Sequence, residues 1–96
     1  MIRHIVAWNF KENANPKEDG AKIKALLEGL AGKIDGLLEI KVHTNLLDTS
    51  NRAIVLNSLF ANEEALAAYK PHPEHVRAAE FIGTVATDRI CVDYYE

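Results

Sequence analysis

The opening segment, Ile2 to Lys11, carries apolar side chains on both faces of an alternating pattern, and this limits the chain's folds more than any other feature. Ile2, His4, Val6, Trp8 and Phe10 share one face, and Arg3, Ile5, Ala7 and Asn9 share the other. Four of the five residues on the first face are large and apolar, so that face is buried. Ile5 and Ala7 make the second face partly apolar as well. A sheet built on such a strand needs helices over one face and leaves an apolar surface on the other.

The following segments supply those elements. Asn15-Pro16 opens a helix, with Asn15 as cap and Pro16 at the first helical position. Ile23, Leu26, Leu27, Leu30 and Ile34 form one stripe, and Asp35-Gly36 is the expected stop. Leu38, Ile40 and Val42 alternate with Glu39, Lys41 and His43, the pattern of an edge strand with one dry face. Asp48 to Asn51 reads as a turn, and Ala53 to Phe60 as a continuously apolar central strand. Asn62 caps a short helix that runs to Tyr69 and ends at Pro71. Pro73 opens another helix, with His72 at its cap. Arg89 to Tyr95 closes the chain as a strand.

The order β-α-β-β-α-β predicts an α+β, ferredoxin-like fold. Its sheet has four antiparallel strands, helices on one face and right-handed crossovers. A length of 96 residues suits one domain, residues 1–96. The uncovered sheet face carries Ile5, Ala7, Val55, Leu59, Ile90, Val92 and Tyr94. An apolar patch of that kind predicts a homodimer packed sheet against sheet.

Charge and composition exclude several classes. A net charge of −3 offers no basic footprint for nucleic acid. No apolar run approaches the ~20 residues of a membrane span, and the N-terminal segment reads as a strand, not a leader. The single cysteine, Cys91, allows no internal disulfide and suits a cytoplasmic location. No dinucleotide fingerprint or P-loop occurs, and no cofactor is expected.

Candidate chemistry concentrates in Tyr69-Lys70-Pro71-His72-Pro73-Glu74-His75, with His4 as an outlier. Among the histidines, His43 reads as solvated on its wet strand face. His72 reads as a structural cap between two helices. His4 faces the helices, either as a hydrogen-bonded core residue or as the polar edge of a cavity. His75 lies one turn into its helix, flanked by Glu74 and Val76, and reads either as an acid/base candidate near neutral pH or simply as a surface residue. His72 and His75 are three apart, but no cluster of cysteines or carboxylates accompanies them, so no metal site is expected. Cys91 reads as a small core residue.

These residues resemble a known pattern. Met1-Ile2-Arg3-His4-Ile5-Val6, Tyr69-Lys70-Pro71-His72-Pro73-Glu74-His75-Val76 and Asp93-Tyr94 are similar to the stress-responsive A/B barrel (Dabb) family across essentially the whole chain. The resemblance implies a ferredoxin-like fold paired into a dimeric α+β barrel. It also implies a small-molecule pocket between sheet and helices. A plant polyketide (olivetolic acid) cyclase of this family closes a ring by an intramolecular aldol condensation, and its tyrosine and histidine acid/base pair matches Tyr69 and His75. Its N-terminal strand histidine matches His4. A further third-strand histidine falls at Ile54 here, and the bulkier helix residues of its pocket fall at Ala65, Leu66, Ala78 and Ala79, so substrate identity does not transfer. Asp93 shares a strand face with Cys91 and is placed to support a polar group in the cavity.

Two functions follow as expectations. One is acid/base catalysis on a small carbonyl compound, with His75 as base, Tyr69 as oxyanion donor and His4 as orienting group. The other is a non-catalytic stress-associated or ligand-binding dimer, in which Trp8 and Phe10 fill the cavity.

Overall fold

The structure is a computed structural model that describes residues 1–96. Strand β1 spans Ile2–Phe10, helix α1 Pro16–Glu28, strand β2 Leu37–His43 and strand β3 Ile54–Phe60. Helix α2 spans Glu63–Tyr69, helix α3 Pro73–Val85 and strand β4 Ala86–Tyr95. The four strands lie in the order β2-β3-β1-β4, each antiparallel to its neighbours. The three helices bury their apolar stripes on one side, so the ferredoxin-like expectation holds, with its second helix divided into α2 and α3.

The two-faced first strand takes an inner position between β3 and β4. Val6, Trp8 and Ile2 join Ile23 and Leu27 of α1, Leu56 and Phe60 of β3, and Ile82 of α3 in one apolar core. The Ser58 hydroxyl, fully buried, donates to the His4 carbonyl at 2.9 Å and so satisfies its own polar group at the centre of the sheet.

The sequence signals for helix starts are realised as caps. The Asn15 side chain accepts from the Glu18 N–H, and Asp19 accepts in return from the Asn15 N–H at 2.8 Å. Asn62 accepts from the Ala65 N–H at 2.8 Å. Helix α1 also closes the sheet edge at β2. Glu28 accepts from the Val42 N–H at 2.9 Å, while Lys24 donates to the Val42 carbonyl at 2.8 Å. The backbone groups of Val42 on this edge strand are thereby paired within the chain. The Lys24 ammonium, with the Val42 N–H, holds the Glu28 carboxyl below its usual range.

Four local expectations need correction. Helix α1 stops at Glu28 with Gly29 as its cap, not at Asp35. Gly32 then reverses the chain at φ +79°, yet Leu30 and Ile34 stay buried, so the stripe marks burial and not helix length. In β2 the buried residue is Leu37, and Leu38 is exposed, because a register shift between Leu37 and Glu39 breaks the alternation. Strand β4 begins at Ala86, directly after α3. Finally, Cys91 is exposed and not in the core, because the helix-side face of β4 lies beyond the cover of the helices.

One glycine is required by packing. Gly36 has φ +81°, and a Cβ there would lie 2.4 Å from the Ala65 Cβ. Its carbonyl also accepts from the Ala61 N–H at 2.8 Å, which ties the entry of β2 to the start of α2.

The helix-free face holds Ile5, Val55, Ile90, Val92 and Tyr94, with Val92 52% exposed. Ala7 and Leu59 on the same face are already buried by their neighbours. At one end Arg3 donates to Asn57, Glu39 and Glu96, a polar cluster beside the apolar strip. No helix is long and apolar enough to cross a membrane.

Candidate active site

The segment from Tyr69 to His75 folds as its prolines dictate. Pro71 has no N–H to continue α2, and Pro73 sets the first turn of α3. His72 sits between them, and its Nδ1 accepts from the Glu74 N–H at 3.1 Å, so it is a cap as the sequence suggests. The chain reverses over this break. Tyr69 ends one helix, His75 lies in the first turn of the next, and their rings meet at 4.1 Å.

The same break leaves the Lys70 carbonyl unused by either helix, and it pairs with His75 Nδ1 at 2.9 Å. A carbonyl only accepts, so Nδ1 carries the proton, and Nε2 of the neutral ring keeps its lone pair. Burial lowers the His75 pKa below its ordinary value, against a smaller raising effect of the Lys70 carbonyl. The electrostatic influence of His4 and of Arg89 lowers it further. At neutral pH the ring is therefore an unprotonated base.

Tyr69 is 1% exposed, and its hydroxyl is the one buried side-chain polar atom without a hydrogen-bond partner. Burial pushes its pKa up to about 12, with Arg89 acting in the opposite sense. It is a protonated phenol with an unused donor. Such an orphan costs stability, on the order of 1–3 kcal/mol, and calls for an explanation.

His4 comes to the same place from β1. Its ring lies 6.1 Å from Tyr69 and 6.0 Å from Phe60, both edge-on. The β1–β4 register sets His4 opposite Asp93, and His4 Nδ1 contacts the Asp93 carboxylate. This carboxylate fixes the ring's orientation. Cys91 lies beside the pair, its sulfur 3.8 Å from His4 Nδ1 and 3.6 Å from Asp93 Oδ2. Partial burial, then Asp93, push the Cys91 thiol up, so it is a protonated thiol and a poor nucleophile.

The three rings border a cavity of about 210 Å³ between sheet and helices, with Val6, Trp8 and Leu56 on the sheet side. Trp8 forms a wall without filling it, and Phe10 packs instead beside Gly20. The third-strand residue at the cavity is Leu56, not Ile54, which is fully buried. Of the four helix residues noted in the sequence, Ala79 alone reaches this cavity. Leu66 lines a second cleft of about 270 Å³ near Asp93 and Tyr95, Ala78 is core, and Ala65 abuts Gly36. His43 is exposed on β2, away from the cavity.

Two contributors escape a reading of the sequence. Arg89 lines the cavity without an ion pair or hydrogen bond of its own, and Cys91 joins His4 and Asp93. Both depend on the β1–β4 register, which no local pattern encodes. Asp93 does carry a signal, since it alternates with Cys91 on one strand face.

A fold of this kind defines a class of protein, and known proteins share that fold. The profile described as Stress responsive A/B Barrel Domain matches residues 2–96, and the chain belongs to that family. It is 31% identical over 99 residues to a stress-response A/B barrel domain-containing protein of Arabidopsis thaliana, covering 98% of this chain and 36% of that protein. The chain thus spans about a third of that relative's length. A second such Arabidopsis thaliana protein is 28% identical over 102 residues, covering 99% of this chain and 88% of that one. A crystal structure of a dimeric protein of unknown function and ferredoxin-like fold from Bacteroides fragilis is similar at TM-score 0.89 and 28% identity, covering 99% of this chain and 95% of that one. The hydroxynitrile lyase from Passiflora edulis is similar at TM-score 0.82 and 17% identity, covering 97% and 90%, a likeness of fold alone.

Proposed function

We propose that this protein is a small acid/base enzyme that removes a proton α to a carbonyl group in a small organic compound. The observation that carries the reading is the pairing of a histidine with a bare Nε2 and a buried, unpartnered tyrosine hydroxyl around one cavity. His75 Nε2 takes the α-proton. The C–H electron pair becomes the enolate double bond, and charge moves to oxygen. The Tyr69 hydroxyl donates to that oxygen, which gives the orphan donor its partner only when the substrate reacts. His4, held by Asp93, orients the substrate. The unpaired Arg89 favours compounds or transition states with negative charge at the cavity mouth. The enolate then regains a proton at carbon or attacks an electrophile within the same molecule, as in a cyclisation.

A volume of about 210 Å³ lies below the ~300–1,000 Å³ of drug-sized pockets, so the substrate is small or enters only in part. That a protein of this fold from Passiflora edulis is a lyase is compatible with this reading. The assay needs no knowledge of the product. In D₂O the protein is expected to speed exchange of α-protons in a panel of small ketones, followed by proton NMR. Exchange no faster than in buffer across the panel leaves a binding role without chemistry.

The pH dependence has a defined sign. The base must be neutral, and its pKa is lowered, so exchange falls only as pH drops through a midpoint below about 6.5. Tyr69 keeps its proton up to about pH 12, so no alkaline limb from it appears in the neutral range. A midpoint above 6.5 contradicts the assignment of His75.

We also infer a cytoplasmic homodimer formed through the helix-free face, as the apolar strip of Ile90, Val92 and Tyr94 suggests. The dimeric Bacteroides neighbour supports pairing of two chains. Sedimentation at micromolar concentration is expected to give twice the chain mass, and a monomer there would refute the interface.

A further inference from the structure

The cluster His4, Cys91 and Asp93 lies beside the acid/base pair and has no part in proton removal by His75. Its three ligand atoms, one nitrogen, one sulfur and one carboxylate oxygen, all lie within 4.8 Å of one another. The antiparallel register sets Asp93 across from His4 and Cys91 across from Val6, so the three side chains project from one face of two neighbouring strands. We propose that they form a binding site for a thiophilic divalent transition metal ion, zinc in the first instance.

The spacing suits that ion. Zinc bonds of about 2.0–2.3 Å to nitrogen, oxygen and sulfur give tetrahedral edges of about 3.3–3.6 Å. The sulfur already stands 3.8 Å from His4 Nδ1 and 3.6 Å from Asp93 Oδ2. Only the carboxylate has to turn away from the imidazole to admit an ion between them. The ligand set also selects the metal. A thiolate and an imidazole with one carboxylate favour zinc or another late transition ion over calcium or magnesium, which take oxygen ligands.

The position is reachable. His4 is buried and rigidly placed, while Cys91 and Asp93 are exposed. Asp93 also lines the second cleft, so water or a small ligand can fill the fourth position. The site is on the sheet face opposite the proposed dimer interface and stays open in that assembly. Binding expels the Cys91 thiol proton to solvent. The His4 proton leaves Nδ1, and the neutral ring then carries it on Nε2. An ion at this point thus changes His4 from acceptor to donor at its other nitrogen.

This inference does not depend on the acid/base reading, and its test measures no turnover. The intact, reduced protein is titrated with Zn²⁺ against a chromophoric chelator, and with Co²⁺ by absorption. One ion per chain is expected, with a thiolate-to-cobalt charge-transfer band in the near ultraviolet. Cys91→Ser should abolish that band, and Asp93→Asn should weaken zinc binding by about tenfold or more. Cys91 is exposed, so its serine variant is expected to fold, and unchanged circular dichroism checks this. His43→Asn, remote from the cluster, should bind as the unaltered protein does. Failure of the unaltered protein to retain an ion overturns the proposal. So does an equal affinity and an unchanged cobalt spectrum in Cys91→Ser.

Discussion

His75→Ala is expected to slow α-proton exchange by about 10²–10⁴-fold while the protein stays folded and its state of assembly is unchanged. The base is then absent, and no other group around the cavity replaces it. His4 commits one ring nitrogen to Asp93, and its ring lies 6.1 Å from Tyr69, against 4.1 Å for His75. The cost in stability should be small. His75 is half-buried and makes one hydrogen bond, to Lys70, worth about 0.5–1.5 kcal/mol net. Pro71, Pro73 and the His72 cap maintain the helix break without it. Exchange rates by NMR, with circular dichroism and sedimentation as controls, make the test. An unchanged rate in a folded variant removes His75 from the mechanism.

Tyr69→Phe is expected to move rate and stability in opposite directions. Loss of the oxyanion donor should lower exchange by about 10²–10³-fold. The hydroxyl it removes is buried and unpaired, so the variant should unfold at higher denaturant, by about 1 kcal/mol. The phenyl ring still packs on Phe60 at 4.9 Å and on His75. A residue whose polar atom serves only the fold would show the reverse, with lower stability and unaltered rate. Urea unfolding and exchange on the same samples decide between them.

The parts of this fold legible in the sequence are those written in local patterns. Alternation in Ile2 to Phe10, caps at Asn15 and Asn62, and the Pro71/Pro73 break each act within a few residues, and each appears where expected. The end of α1 is not legible, because Leu30 and Ile34 remain buried in a turn, and burial is what an apolar stripe reports. Leu38 misleads for a similar reason, since one irregular step in the β2–β3 register reverses which side chain points inward. In the candidate site, Tyr69 and His75 are readable as a pair because one short break joins them. His4 is readable as a polar residue on a dry face. The placing of Asp93, Cys91 and Arg89 depends on pairing between the first and last strands. That contact is separated by most of the chain, and no local signal encodes it.

His75 stands at the centre of the proposed chemistry as a base made ready by the fold, with Nδ1 tied to Lys70 and Nε2 bare. Nitrogen-15 NMR of the histidine rings across a pH titration reads this directly. The expected result is a neutral His75 protonated on Nδ1, with a titration midpoint below about 6.5. A ring protonated on Nε2 when neutral, or one that titrates at or above 6.5, would contradict it.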